Sequence, residues 1–265
     1  MTETLKSERH YVLGGKVILH QNAEGGHRAG LDAVMLAASI SPKTDKPCHV
    51  VDLGAGVGTA GLCVAARQKH STVSLVENDP ETLHFTQMTL DDPDNRSFSH
   101  RVSLLDADVT LKGEAREAAG LIQNMADYVI MNPPFWEEAS VRTSPNETKA
   151  SAHVLNDEGL EPWLRTAAAI LKAGGSLSVI FPSEGLVKVL NHMEGRFGEI
   201  KIFPLFRGLG EEAKRVIVTG VKGSRAPMRV LPGLFLHECE TNDANRRPWT
   251  AQANAVLNGD ASLFI

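Results

Sequence analysis

His49-Val-Val-Asp-Leu-Gly-Ala-Gly-Val-Gly-Thr59 is a short apolar run that breaks into three alternating glycines. The β-branched pair at 50–51 suits a buried strand. The glycines suit a turn that needs positive φ and close approach of the backbone to a neighbour, because no Cβ intrudes. Apolar residues at 58–68 then continue with helical spacing, so the stretch reads as strand, turn and helix. Working outward, strands are expected at 72–77, 102–105, 128–131, 176–181, 200–204 and 216–221. Helices are expected at 80–90, 114–122, 161–171 and 185–196, an alternation that marks a parallel α/β sheet with helices on both faces. Leu171-Lys-Ala-Gly-Gly175 should close one helix with glycine and launch the next strand. The strands at 200–204 and 216–221 lack a clear helix between them, which predicts an antiparallel ending. A small strand at 14–20 and an apolar helix at 31–40 precede this sheet.

Composition sets outer limits. A chain of 265 residues, 42% hydrophobic and 22% charged, can bury the core of one large α/β domain. No apolar run reaches the length of a membrane span, and the polar first ten residues offer no export signal, so a cytoplasmic protein is expected. The three cysteines, Cys48, Cys63 and Cys239, have neither zinc nor disulfide spacing and read as small fillers. A net charge of −5 argues against coating nucleic acid but leaves room for a local basic patch.

Two features carry chemistry. In the first, the glycine turn Gly54-Ala55-Gly56-Val57-Gly58 is followed by Glu77 at the end of the next strand, where a carboxylate can accept the hydroxyls of a ribose. Alone this fits a nicotinamide site or a plain strand-to-helix turn as well as any other nucleotide-like cofactor. The second is Asp127-Tyr-Val-Ile-Met131 running into Asn132-Pro133-Pro134-Phe135. The Asn132 side-chain oxygen and the Pro133 carbonyl are two acceptors on a backbone that prolines hold rigid. They can hold the N–H bonds of a planar amine, with Phe135 and Trp136 stacking on its ring. Such an amine is a poor nucleophile, so acceptors that orient it point to methyl transfer, with S-adenosylmethionine as the cofactor. The bland reading makes these residues a rigid turn with Phe135 in the core.

The order of these pieces resembles the class I S-adenosylmethionine-dependent methyltransferases of the "small domain", Asn-Pro-Pro-Phe/Tyr superfamily. The likeness is closest to the bacterial tRNA(Val) adenine-N6 methyltransferases. It rests on Gly26-His-Arg-Ala-Gly-Leu-Asp-Ala-Val34, Asp52-Leu-Gly-Ala-Gly-Val-Gly58, Glu77-Asn-Asp-Pro80, Asn132-Pro-Pro-Phe135, Leu171-Lys-Ala-Gly-Gly175 and Lys222-Gly-Ser-Arg-Ala-Pro227. The resemblance implies a seven-stranded, mostly parallel Rossmann-like sheet with an antiparallel last strand. Residues 1–45 would close over the cofactor, 46–225 would form the core and 226–265 a C-terminal extension packed on it. Asp52, Gly54, Ala55, Gly56, Gly58, Glu77 and Asn78 would line the cofactor, and Asp108 (or Asp106) would accept its adenine amino group. Arg28 and Asp32 would close over the methionine end. Asn132, Pro133, Pro134 and Phe135 would form the catalytic pocket, with Asn132 also touching the cofactor and no metal.

The implied partner is tRNA or another structured RNA, and oligomeric state is open, a homodimer included. Glu137 and Glu138 place negative charge where an RNA phosphate would pass, a departure that bears on the tRNA assignment. Arg207, Lys214, Arg215, Lys222, Arg225 and Arg229 form either an RNA-facing ledge or ordinary solvated charge. His153 either borders the entrance or simply packs in a loop. Guanine-N2, protein-glutamine and small-molecule amines are rival substrates, and a non-catalytic binding module is the rival class.

Overall fold

A computed structural model describes residues 6–23, 30–41, 46–134, 157–238 and 247–265. An N-terminal hairpin pairs β1 (Ser7–Val12) with β2 (Val17–Asn22) and leads to α1 (Leu31–Ala38). The sheet begins with β3 (Cys48–Leu53), and α2 (Thr59–Arg67), β4 (Ser71–Glu77) and α3 (Pro80–Asp91) follow. A short 3-10 turn and α4 (Arg96–Ser99) lead into β5 (Val102–Asp106), α5 (Gly113–Ala118) and β6 (Ala126–Met131). Beyond them come α6 (Asp157–Ile170), β7 (Leu171–Pro182), α7 (Leu186–Met193), β8 (Phe197–Phe206) and β9 (Ala213–Lys222). The chain closes with β10 (Arg229–Val230), β11 (Leu234–Phe235) and α8 (Ala251–Leu257).

Strand order across the sheet is β5-β4-β3-β6-β7-β9-β8, with β10 and β11 pairing in parallel with β8. Only β9 runs against the rest, antiparallel to both β7 and β8. The chain leaves β3 toward β4 and β5, then crosses back to β6 on the other side. In open α/β sheets, ligands bind where the strand order reverses in this way, outside the carboxyl ends of the strands. Leu53 of β3 pairs with Met131 of β6, so the glycine turn and Asn132 leave neighbouring strands at the same level, about 5 Å apart.

The central strands are buried on both faces, which explains their largely apolar sequences. Val50, Ile130, Ile180 and Ile217 pack against α1, α2 and α8. Val51, Leu53, Val129, Met131 and Val179 pack against α6 and α7. The hairpin is pinned to the α3 side by the fully buried Asn95, whose side chain accepts from the Ile18 amide and donates to the Ile18 and Thr89 carbonyls.

Two local expectations are corrected, and a third gains a partner. Helix α5 stops at Ala118 because Gly120, at φ +89°, takes the left-handed position of a Schellman cap; the Gly120 and Leu121 amides donate to the Glu117 and Arg116 carbonyls. Gly174 and Gly175 do not end a helix. They lie inside β7, where pairing jumps from Ala126↔Leu171 to Tyr128↔Ser176 and Gly174 has φ +76°. The N-terminal strand expected at 14–20 has a partner, β1, that its charged, weakly alternating sequence concealed. The seven long strands are as expected, and two-residue β10 and β11 add to them beyond position 225.

Candidate active site

The glycines of the turn have separate jobs. A Cβ on Gly54 (φ +64°) would lie 2.2 Å from the ring of Trp163, and one on Gly58 (φ +85°) would lie 2.8 Å from Leu75. Within α2, a Cβ on Gly61 would meet Leu75 at 2.3 Å, so helix and strand touch only because it is glycine. Gly56 (φ +56°) alone among these four has open space where a Cβ would stand. Close approach to a ligand, expected of the whole turn, is therefore available at Gly56, while the others serve packing. Gly54→Ala would combine left-handed strain with a ring clash; it is expected to cost about 2–4 kcal/mol, read as a lowered urea midpoint.

Asp52, expected to line the cofactor, is 2% exposed, and its Oδ2 accepts the Gly61 amide at 2.8 Å. Its carboxylate thus anchors the first turn of α2. Burial pushes the carboxyl up to about 7, opposed by the Gly61 hydrogen bond and reinforced by the Glu77 charge. A raised folded-state value means the folded protein holds a proton that the unfolded chain has lost. Stability should therefore fall as pH rises from about 4 to 7, by at most ~1.4 kcal/mol per pH unit, and level off above. Asp52→Asn keeps an acceptor for Gly61 and should flatten that slope in denaturant titrations between those pH values.

Glu77 is tied to the same turn. Its Oε2 accepts the Gly56 amide at 2.9 Å, and its Oε1 accepts those of Asn78 and Asp79 at 2.9 and 3.0 Å. Three of the roughly four acceptor positions of a carboxylate are thus filled, and one stays open for a hydroxyl without disturbing the turn. Thr86, fully buried, donates to the Gly56 carbonyl at 3.0 Å and locks the turn to α3. Asp79 caps α3 through the Thr82 amide at 2.7 Å. Asn78 lies exposed between these two acids.

Asn132 follows β6 directly, its Oδ1 shielded from water and without a hydrogen-bond partner. A buried acceptor left unmade costs about 1–3 kcal/mol, so natural proteins keep few of them. Pro133 is buried and Pro134 exposed. Because each of Asn132 and Pro133 precedes a proline, both are held to extended backbone. Phe135, Trp136, Glu137, Glu138 and His153 lie outside the described residues, as do Arg28 and Cys239.

Around this edge, Asp106 ends β5 opposite Glu77 and is exposed. Asp108 is half-buried, with Oδ1 accepting the Thr110 amide at 2.7 Å. Asp32, in the first turn of α1, pairs with Arg215 at 2.8 Å. That pair brings the start of α1 to the edge where β7 ends, since Arg215 stands opposite Pro182. The six cations expected as one ledge are divided between the two ends of the sheet. Arg215 lies near the start of β9, at the edge where β7 ends, whereas Lys222 ends the strand about 23 Å away, on the Asn124 side chain and the Leu171 carbonyl. Arg225 and Arg229 lie on the Lys222 side, beside Gly198 and Lys201. A cleft of about 470 Å³ between Ser39, Lys172, Ser176 and Lys201 also opens at that opposite edge, away from the strand ends that locate this site. Sequence reasoning missed Trp163 and Thr86, whose helical positions carry no motif. Among the described residues, no group of three or more His, Cys, Asp or Glu could hold a metal, and no helix is long and apolar enough to cross a membrane.

Comparisons with known proteins agree with this fold. The methyltransferase small domain family matches residues 32–204. A crystal structure titled "predicted O-methyltransferase, protein Atu636" from Agrobacterium tumefaciens is 35% identical, with a TM-score of 0.73, over 88% of this chain and 98% of that one. The 16S rRNA N2 G1207 methyltransferase of Thermus thermophilus shares the fold, at a TM-score of 0.56 and 20% identity over 84% of this chain and 52% of that one. A tRNA1(Val) (adenine(37)-N6)-methyltransferase of Glaesserella parasuis is 23% identical over 72% of this chain and 75% of its own length. One of the same name from Flavobacterium psychrophilum is 29% identical, over 63% and 68%. The fold and the strand-end site define a Rossmann-like methyltransferase. The chain belongs to the methyltransferase small domain family, and its cofactor is S-adenosylmethionine.

Proposed function

We propose that this enzyme methylates the exocyclic N6 amine of an adenine in tRNA. The observation that carries the reading is the unpartnered, buried Oδ1 of Asn132, beside the glycine turn on the neighbouring strand. An adenine amine is weakly nucleophilic because its lone pair is delocalised into the ring. Two acceptors that hold its N–H bonds favour a pyramidal nitrogen and aim the lone pair along one direction. Asn132 Oδ1 and the Pro133 carbonyl are the two acceptors, and the consecutive prolines set them before substrate arrives. S-adenosylmethionine supplies a methyl already activated on a sulfonium, so positioning does most of the work. The nitrogen sheds its surplus proton after transfer, and no strong base is needed.

In this arrangement Glu77 takes a ribose hydroxyl, Gly56 lets the cofactor lie against the backbone, and Asp108 accepts the adenine amino group. Asp32 acts through Arg215, which it holds at the edge, and Arg28 and Phe135 keep the roles the resemblance implies. The names of the curated relatives support an adenine of tRNA as the target, a substrate that fits the cytoplasm. The O-methyl title of the Agrobacterium relative is the competing reading. An amide oxygen accepts an N–H but cannot take the proton from a hydroxyl, which favours the amine. The test is to incubate the protein with labelled cofactor and tRNA from cells lacking it, followed by nucleoside mass spectrometry. N6-methyladenosine is expected; a methylated ribose, N2-methylguanosine or no labelled nucleoside contradicts the reading.

A further inference from the structure

The far edge of the sheet carries two stacked ring pairs that neither the core nor the proposed chemistry uses. Phe206 and Phe235 are cross-strand neighbours with centroids 5.0 Å apart and rings at 27°. His237 and Trp249 bridge the next segment, with centroids 4.2 Å apart at 21°. Leu234 and Leu236 point into the core, so Phe235 and His237, alternating with them, share the opposite face. The two pairs therefore stand side by side, about 7 Å apart along the strand. Packing has not claimed this face: Phe235 and Trp249 are 38% and 39% exposed, and Leu209 in the adjoining β8–β9 turn is 68% exposed.

The position matters as much as the rings. Met131, Val179, Val218 and Ile202 lie in one row across β6, β7, β9 and β8. Asn132 leaves that row toward the edge where Phe206 ends β8, three strand spacings or about 14 Å to the side. Arg207 extends from the end of β8 and is exposed. Lys214 is 76% exposed, and its only acid neighbour among the described residues, Glu212, is a loose 3.8 Å away. Arg247 pairs with Glu211 beside Gly208. Rings on an open sheet face flanked by cations are how proteins hold unpaired nucleotides: bases stack on the rings and phosphates meet the cations.

We propose that the face formed by Phe206, Phe235, His237 and Trp249, with Arg207 and Lys214 beside it, binds an unpaired stretch of the RNA substrate next to the methylated base. This rests on the RNA reading above and adds to it the surface that grips the substrate. The catalytic edge turns one base out, and this platform would hold its neighbours, so it sets affinity and not the methyl-transfer step.

The experiment uses the full chain with cofactor and a tRNA that the wild type methylates. Trp249→Ala and Phe235→Ala should each raise KM and the RNA dissociation constant roughly tenfold, with the loss concentrated there and not in kcat or cofactor affinity. Trp249→Phe should recover most of the loss, and Phe264→Ala, an exposed ring elsewhere, should change neither value. Unaltered KM and RNA affinity in both alanine variants would overturn the platform. So would a matching fall in cofactor affinity and melting temperature, which makes the rings structural, or a shift from dimer to monomer, which makes the face a contact between copies. A wild type that methylates no RNA overturns the substrate reading itself, a result separable from the others.

Discussion

Replacing Asn132 by alanine is expected to lower kcat by about 100-fold or more, while cofactor affinity stays within a few-fold and the fold loses nothing. The kinetic part follows from removing one of the two acceptors proposed for the reacting nitrogen, an effect comparable with deleting a preorganised oxyanion donor. The stability part follows from the unpartnered Oδ1. Most buried amides cannot be truncated without leaving a partner unpaired, but this oxygen has none, so alanine removes a penalty. The melting temperature should stay level or rise. A residue whose removal cripples turnover and spares the fold is paired only when substrate is present. Turnover within fivefold of wild type would rule Asn132 out as the acceptor. A large fall in melting temperature would assign it to the turn instead.

Glu77→Ala should show the opposite division of effects. The side chain gathers the Gly56, Asn78 and Asp79 amides, and without it the glycine turn loses its link to the end of β4. Hydrogen bonds to a charged group contribute about 1.5–3 kcal/mol each when buried, less at this half-exposed position, where water can replace part of them. Cofactor affinity should fall about 100-fold, ~2.7 kcal/mol, through the lost ribose acceptor and the loosened turn together. Glu77→Gln is not expected to rescue it, because one amide atom becomes a donor and faces another donor. Calorimetry giving equal affinity for wild type and Glu77→Ala would remove Glu77 from the cofactor site. With Asn132→Ala, these outcomes would divide the edge into a half that binds cofactor and a half that orients substrate.

How far these roles could be read without coordinates varied by residue. The long strands were legible because burial on both faces demands unbroken apolar runs, as at Val50-Val51 and Val129-Ile-Met131. Their parallel direction was legible through the helices between them, and the reversed β9 through the missing helix before it; their order across the sheet was not. Gly120 and Gly174 were misread because glycine permits a cap, a bulge and a turn alike, and only neighbouring strands decide which forms. Asn132 and Glu77 stood out because each ends an apolar strand on a polar side chain. Asp52 was visible as part of a motif, but its inward turn onto Gly61 depends on how α2 packs. Trp163 over Gly54 is a contact between distant segments, which no local pattern encodes. The basic residues clustered in sequence separated in space because β9 carries its two ends to opposite edges.

A crystal structure with S-adenosylhomocysteine and adenosine monophosphate would test the amine-capture geometry most directly. The expected density places N6 about 3 Å from both Asn132 Oδ1 and the Pro133 carbonyl, facing the donor sulfur. An adenine whose amine points to solvent, with Asn132 paired to another protein group, would contradict it.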